Sequence, residues 1–354
     1  MTAGLEFGLQ FHLASTVERY TTPDLVSLGE LAERLGFAQV WVTDNLGARN
    51  PFVVLAALAP RLGIKLGAAV AVPYFRNPVD LADTVATLSE LVAGRELGLG
   101  LARGSLTKTP RYVRPSAPVA ILEETSALLR RLLAGEGVRF SEYPALTSYF
   151  NLSPDGEGRL GMRPAGPVVL YGGGNGPRAL AVAGRMMDGV IYGGSFVAAA
   201  RAGMLAAALE IADRATGHAP RGARLRKVAE VNVALAADGA AARRYARPFA
   251  ATVVNHLHAT GWGPDQFGRL GVRADEVARL VAARRAGAAD DTLAALVTDA
   301  MVDATLIAGD PGTCGPRLAS VCAEAKRYGF DQIMWSKLGP DYREAVPLLA
   351  EALR

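Results

Sequence analysis

Residues 170–189 read LYGGGNGPRALAVAGRMMDG: a short apolar run, then four glycines within five positions, a proline, and an alanine-rich helical pattern. Strand, glycine loop and helix in that order outline a loop that holds a phosphate against a helix N-terminus. Glycines let the backbone approach a ligand closely, and the first N–H groups of the helix favour an anion. The letters GNGPRA also satisfy the loose G-x-G-x-x-A pattern at Gly174, Gly176 and Ala179. A dinucleotide fold requires in addition an acidic residue at the end of the next strand to hold the ribose. Here the next strand, GVIYGG (189–194), ends in glycine and is followed by Ser195. The motif also comes after four strand–helix units rather than at the first. The dinucleotide reading gives way, and with no GxxxxGK[ST] in the chain a P-loop is excluded. A tight strand-to-helix turn without a ligand remains the plain alternative.

Outward from this loop the chain alternates strand-like and helical patterns. Strands are expected at 5–13, 38–44, 64–72, 95–102, 167–173, 189–194, 225–237 and 331–339. Helical patterns follow them, among them TPDLVSLGELAERLGF with a threonine cap and a proline in the first turn. SFVAAARAGMLAAALEIADRATG reads as one helix, and 304–330 as helix-rich again. Eight strands each followed by helix predict an α/β fold, a (β/α)8 TIM barrel with insertions, over a single domain spanning 1–354. A doubly wound sheet is the rival, since its strands are equally apolar. Residues 141–166 read as an irregular insertion, and 239–300 as a mostly helical one near the mouth.

Composition excludes several classes. Half of the 354 residues are hydrophobic, 20% are charged, and the net charge is +4. No run of like charges suggests a nucleic-acid arm, and the mild positive excess suits an anionic ligand. Cys314 and Cys322 lie eight apart with no histidine at ligand spacing, so no metal site is expected. The start, MTAGLEFGLQFHLAS, lacks the basic and apolar regions of a signal peptide, and no apolar run is long enough to cross a bilayer. A cytoplasmic protein with no membrane partner is expected.

Four stretches together resemble the bacterial luciferase-like superfamily, and within it the branch that uses the 5-deazaflavin coenzyme F420. They are LAERLGFAQVWVTDN (31–45), LGAAVAVPYFRNPVDLADTVATLSELVAGRELGLGLARGS (66–105), GGGNGPRALAVAGRMMDGVI (172–191) and GDPGTCGPRLASVCAEAKRYGFDQIMW (309–335). That branch includes methylenetetrahydromethanopterin reductase and F420-dependent glucose-6-phosphate dehydrogenase. The likeness covers most of the chain outside 239–300. It implies the same barrel, a homodimer, and a third-strand bulge with a non-prolyl cis peptide at Ala69–Val70 under the coenzyme ring. Without the resemblance, GAAVAV reads as an ordinary buried strand.

The resemblance also assigns candidate residues. Asp44, closing the second strand, is placed against the coenzyme, with a turn cap before NPF as the plain alternative. The dehydrogenase branch carries a catalytic histidine where this chain has Asn45, and His12 at the end of the first strand is the nearest substitute acid or base. Arg103, Gly104 and Ser105 follow the fourth strand. Ser105 stands where that branch has a carboxylate proton donor and Lys108 where it has an asparagine. Its phosphate-gripping lysines find no match in YGGSFVAAA, which argues against glucose 6-phosphate. Gly173, Gly174, Asn175, Gly176, Pro177 and Arg178 form the phosphate loop. His256 and His258 face either substrate or solvent. The expectation is an F420-dependent oxidoreductase acting on a small-molecule substrate. An FMN-dependent monooxygenase is the first alternative, and a non-catalytic flavin-binding subunit of the same fold the second.

Overall fold

A computed structural model describes residues 4–105, 109–216 and 224–354; Lys108 lies outside them. The barrel strands, numbered in chain order, are β1 (Glu6–Phe11), β2 (Gln39–Val42), β3 (Lys65–Ala71), β4 (Leu97–Leu101), β5 (Val168–Gly173), β6 (Gly189–Tyr192), β7 (Arg226–Leu235) and β8 (Gln332–Ser336). Each is followed by a helix: α1 (Thr22–Arg34), α2 (Pro51–Leu58), α3 (Pro78–Leu91), α4 (Pro118–Leu133), α5 (Pro177–Met186), α6 (Leu205–Ala215), α7 (Pro311–Arg327) and α8 (Tyr342–Ala352). The strands are short, apolar and almost wholly buried, as a sheet covered on both faces requires. The chain sorts into two compact units.

One unit takes residues 10–191 and 211–226. In it β2, β3, β4, β5 and β6 form a continuous parallel ladder, with Gln39 opposite Lys65, Leu97 opposite Val168, and Tyr171 opposite Gly189. The β3–β4 register shifts between Ala68 and Ala71, which is the expected bulge. Trp41 of β2 fills the centre of this ladder. It is fully buried, edge-on to Tyr171 at 5.6 Å, and a Cβ at Gly67 or Gly98 would lie within about 2.5 Å of its ring. Glycine at those two positions is what lets an indole lie across three strands. Helix α1 starts with a capping box, Thr21 Oγ1 accepting from Asp24 N while Asp24 Oδ2 accepts from Thr21 N. The cap is thus Thr21, one residue before the threonine expected.

The other unit takes residues up to 9, with 192–210 and 227–354. Here β7 pairs in parallel with β8, Gln332 opposite Val228. It also pairs with a short strand, Ile307–Gly309, inside the 304–330 stretch expected to be helix-rich, with Ile307 opposite Val233. Residues 239–300 hold helices Gly239–Ala259, Pro264–Arg269, Ala274–Arg285, Asp290–Ala295 and the start of Asp299–Thr305. They enclose their own core, in which Val254, Leu257, Phe267, Leu280 and Met301 are buried.

Two local expectations need correction. The segment 195–217 is two helices, Phe196–Arg201 and α6, because Gly203 adopts a left-handed φ of 72° that ends the first. The 141–166 segment is less irregular than its composition suggests. It holds helix Pro144–Phe150, and Glu157–Gly158 closes a short antiparallel pair with Val138–Arg139.

Candidate active site

In the first unit, Asp44, the bulge of β3, the turn after β4 and the glycine loop after β5 come from the same, C-terminal edge of adjacent parallel strands. That edge carries the chemistry in (β/α)8 barrels. The Ala69–Val70 peptide bond is cis, where the resemblance placed it. Ala69 O accepts a buried hydrogen bond from Gln10 Nε2 at 2.9 Å, which ties the bulge to β1, the strand beyond β2. Val70 is half-buried, and its Cγ1 lies 2.7 Å from where a Cβ on Gly173 would sit. The glycine at 173 therefore makes room for Val70, and the bulge and the phosphate loop fit against each other.

Asp44 is buried and fully engaged. Its Oδ2 accepts from Arg76 Nη1 at 2.6 Å and from Val72 N at 3.0 Å, and its Oδ1 accepts from Arg76 Nη2 at 3.1 Å. Arg76 stacks over the Phe52 ring at 4.9 Å. This two-pronged pair ties the chain after β3 to the end of β2. Asp44 so placed shapes the wall of the site through Arg76, a partner 32 positions away that sequence alone did not suggest. Asn45 is half-buried and belongs to a small relay: Leu13 N donates to Thr43 Oγ1 at 3.0 Å, and that hydroxyl donates to Asn45 Oδ1 at 2.8 Å. His12 uses Nδ1 to accept from Ser15 N at 3.2 Å, capping the turn Leu13–Thr16. Its first visible duty is structural.

After β4, Arg103 is exposed and faces Tyr74, whose phenol is buried and pushed well above its ordinary value by that burial. Tyr74 Oη donates to Pro118 O at 2.9 Å, and Tyr149 of the 141–166 segment donates to Tyr74 O at 3.2 Å. The insertion thus folds back onto the loop after β3. Gly104 takes a left-handed φ of 74°, and a Cβ there would meet Val72 Cγ2 at 2.7 Å. Ser105 is half-buried, and Ser105 O accepts from Thr109 N at 3.1 Å.

The glycine loop has the form of an anion cradle. Gly174 holds a φ of 146° and donates its N–H to Ile191 O at 3.1 Å. Asn175 is half-buried. Gly176 is the N-cap of α5 with no side-chain cap, Pro177 occupies the first turn, and Arg178 is exposed beside it. A Cβ on Gly176 would meet nothing within 4 Å. The helix start is therefore open and uncapped, with the positive end of its dipole at that space and the exposed Arg178 in its first turn. These residues fit a phosphate-bearing cofactor. His256 and His258, in the last turn of Gly239–Ala259, belong to the other unit and are half-buried.

The sequence model of the luciferase-like monooxygenase family matches residues 6–328. The chain belongs to that family. Among curated relatives, a 5,10-methylenetetrahydromethanopterin reductase of Methanolobus tindarius is 29% identical over 99% of both chains. An F420-dependent glucose-6-phosphate dehydrogenase of Microbacterium testaceum is 30% identical, over 54% of this chain and 57% of its own. Among solved structures, the coenzyme F420-dependent tetrahydromethanopterin reductase of Methanopyrus kandleri superposes with a TM-score of 0.74 at 21% identity, over 99% of this chain and 98% of that one. The fold of this luciferase-like chain is accordingly the (β/α)8 barrel with insertions. No helix among the described residues is long and apolar enough to cross a membrane, and among them no group of three metal-ligating side chains comes together.

Proposed function

We propose that the chain is an F420-dependent oxidoreductase that moves a hydride between the 5-deazaflavin and a small organic molecule. The carrying observation is the pairing of the open, uncapped α5 N-terminus with the cis bulge at Ala69–Val70, the two fitted together through Gly173. Relatives named for F420 chemistry that match nearly end to end support this reading. When bound, the coenzyme supplies two-electron hydride chemistry that does not need oxygen. The chain's own part is to bind and orient. The N–H groups of Arg178 and Ala179 with the Arg178 guanidinium would hold the phosphate, Val70 would support the ring, and Gln10 would keep the bulge in place. Asp44 and Arg76 hold the wall, and Arg103, Gly104 and Ser105 border the opening.

The family's own monooxygenase label and the phosphate of FMN, which suits the same loop, favour a second reading as an FMN monooxygenase. A non-catalytic subunit is the third. An anaerobic turnover assay separates them: reduced F420 plus a panel of small carbonyl and imine acceptors, followed by reappearance of the oxidised coenzyme's visible band. Turnover without oxygen is the expected result. Turnover that needs both oxygen and reduced FMN would overturn it, and no turnover with any cofactor would leave the non-catalytic reading in its place. A homodimer in the cytoplasm, acting on a small molecule without nucleic acid, completes the proposal; sedimentation equilibrium tests the dimer.

A further inference from the structure

Val168 opens β5, Asp188 precedes β6 and Arg226 opens β7, so these residues mark the N-terminal edge of the strands, opposite the edge that carries the site above. A cavity of about 620 Å³ lies there, and every residue that lines it belongs to the first unit. Its floor is apolar, formed by the otherwise buried Val169, Leu170, Met187 and Leu225. Its charged lining is one-sided. The guanidiniums of Arg130, Arg163, Arg224 and Arg226 share the cavity with a single carboxylate, that of Asp188.

The nearby carboxylates are already engaged. Asp188 Oδ2 accepts from Leu170 N at 2.9 Å, and its Oδ1 lies 3.5 Å from Arg130 Nη1. Glu96 Oε2 accepts from Arg226 Nη1 at 2.6 Å. Arg130 Nη2 donates to Met186 O at 2.8 Å, at the end of α5. Burial pushes that half-buried guanidinium below its ordinary value, as happens to a cation that loses water without full compensation. Arg163 is exposed and makes no hydrogen bond or ion pair among the described residues. It rests against Gly135, the left-handed glycine (φ 82°) after α4, where a Cβ would lie 2.5 Å from Arg163 Nε. The C-termini of α4 and α5 also reach the cavity, through Ala134 and Met187. Each carries about half a negative charge; with these, Asp188 and Glu96 set against the four arginines, an excess of about one positive charge remains.

We propose that this cavity is a second ligand site, separate from the glycine loop, for an organic phosphate monoester whose apolar body covers the floor and whose phosphate is held by Arg130 and Arg163. A guanidinium fork meets phosphate oxygens two at a time, and the terminal oxygens of a monoester can engage more than one fork. The cavity lies at the other end of β5 and α5 from the glycine loop, about 15 Å away along the ten-residue helix. The coenzyme phosphate and this ligand therefore occupy opposite ends of one helix and do not compete. The site does not depend on which coenzyme the loop takes.

The test is isothermal titration of the purified full chain with 1-naphthyl phosphate, 1-naphthalenemethanol and inorganic phosphate. The ester is expected to bind about tenfold or more tighter than the alcohol or the free phosphate, since it alone uses both floor and guanidiniums. Arg163→Gln should weaken the ester about fivefold or more at an unchanged melting temperature, because this side chain holds nothing else. Gly176→Glu, which fills the glycine loop, should leave the ester's affinity as it is. In the wild-type chain the ester should also protect Arg163 from phenylglyoxal, read by peptide mass spectrometry, a measurement that needs no variant. No binding of the ester, equal binding of the alcohol, or loss of binding in Gly176→Glu would overturn the site. So would unchanged affinity in Arg163→Gln or an Arg163 that the ester does not protect.

Discussion

Asp44 closes an apolar strand, and its carboxylate is almost wholly occupied by Arg76 and Val72 N. Asp44 is buried and Arg76 largely so, with side-chain exposures of 1% and 14%. Removing one partner of such a pair strands the other charge, at a cost of roughly 3–5 kcal/mol. Asp44→Ala should lower unfolding stability by about that amount, and Asp44→Ala with Arg76→Ala by clearly less than the sum of the single losses. Urea denaturation measures both; a single-variant loss within about 0.5 kcal/mol, the level of an ordinary surface change, would contradict the assignment. Gln10→Ala leaves Ala69 O without its buried donor and should cost about 1–3 kcal/mol by the same method. Asp44 itself was legible as the acid closing a strand. Arg76 and Gln10 were not, because nothing local in a sequence marks a contact 32 or 59 residues away.

At the scale of elements, the glycine loop and α5 act as one unit. Gly176 has an ordinary φ of −78° and open space around it, so a side chain there is tolerated by the fold. Gly176→Glu should keep the wild-type melting temperature and lose coenzyme affinity by a hundredfold or more, since a carboxylate then fills an anion site. Unchanged affinity on isothermal titration would mean that the loop does not hold the phosphate. Gly67→Ala is the opposite case: its Cβ would fall 2.4 Å from the Trp41 ring, so a loss of about 1–3 kcal/mol in stability is expected from overpacking. Strand and helix order were readable because short continuous apolar runs and capped helices alternate so regularly. The strand Ile307–Gly309 was not legible because three apolar residues within a helix-rich stretch carry no periodicity of their own. The bulge position came from the resemblance alone; GAAVAV has no local feature that marks a cis bond.

For the whole molecule, alkaline stability follows from Cys322 on α7, whose thiol burial pushes up to about 11. The folded state thus keeps its proton where the unfolded thiol has already lost it. That contribution is complete below the unfolded value and disappears as pH rises through about 11. Unfolding free energy should fall between about pH 9 and pH 11, and Cys322→Ala should flatten that fall. An identical pH profile in the variant would assign the loss to other groups.

The central claim is that this barrel holds a deazaflavin. Titration of one purified sample with F420 and with FMN, read by intrinsic tryptophan fluorescence, tests it most directly. Saturable quenching by F420 at micromolar concentrations, with FMN at least a hundredfold weaker, is the predicted result. Tight FMN binding with no response to F420 would contradict it.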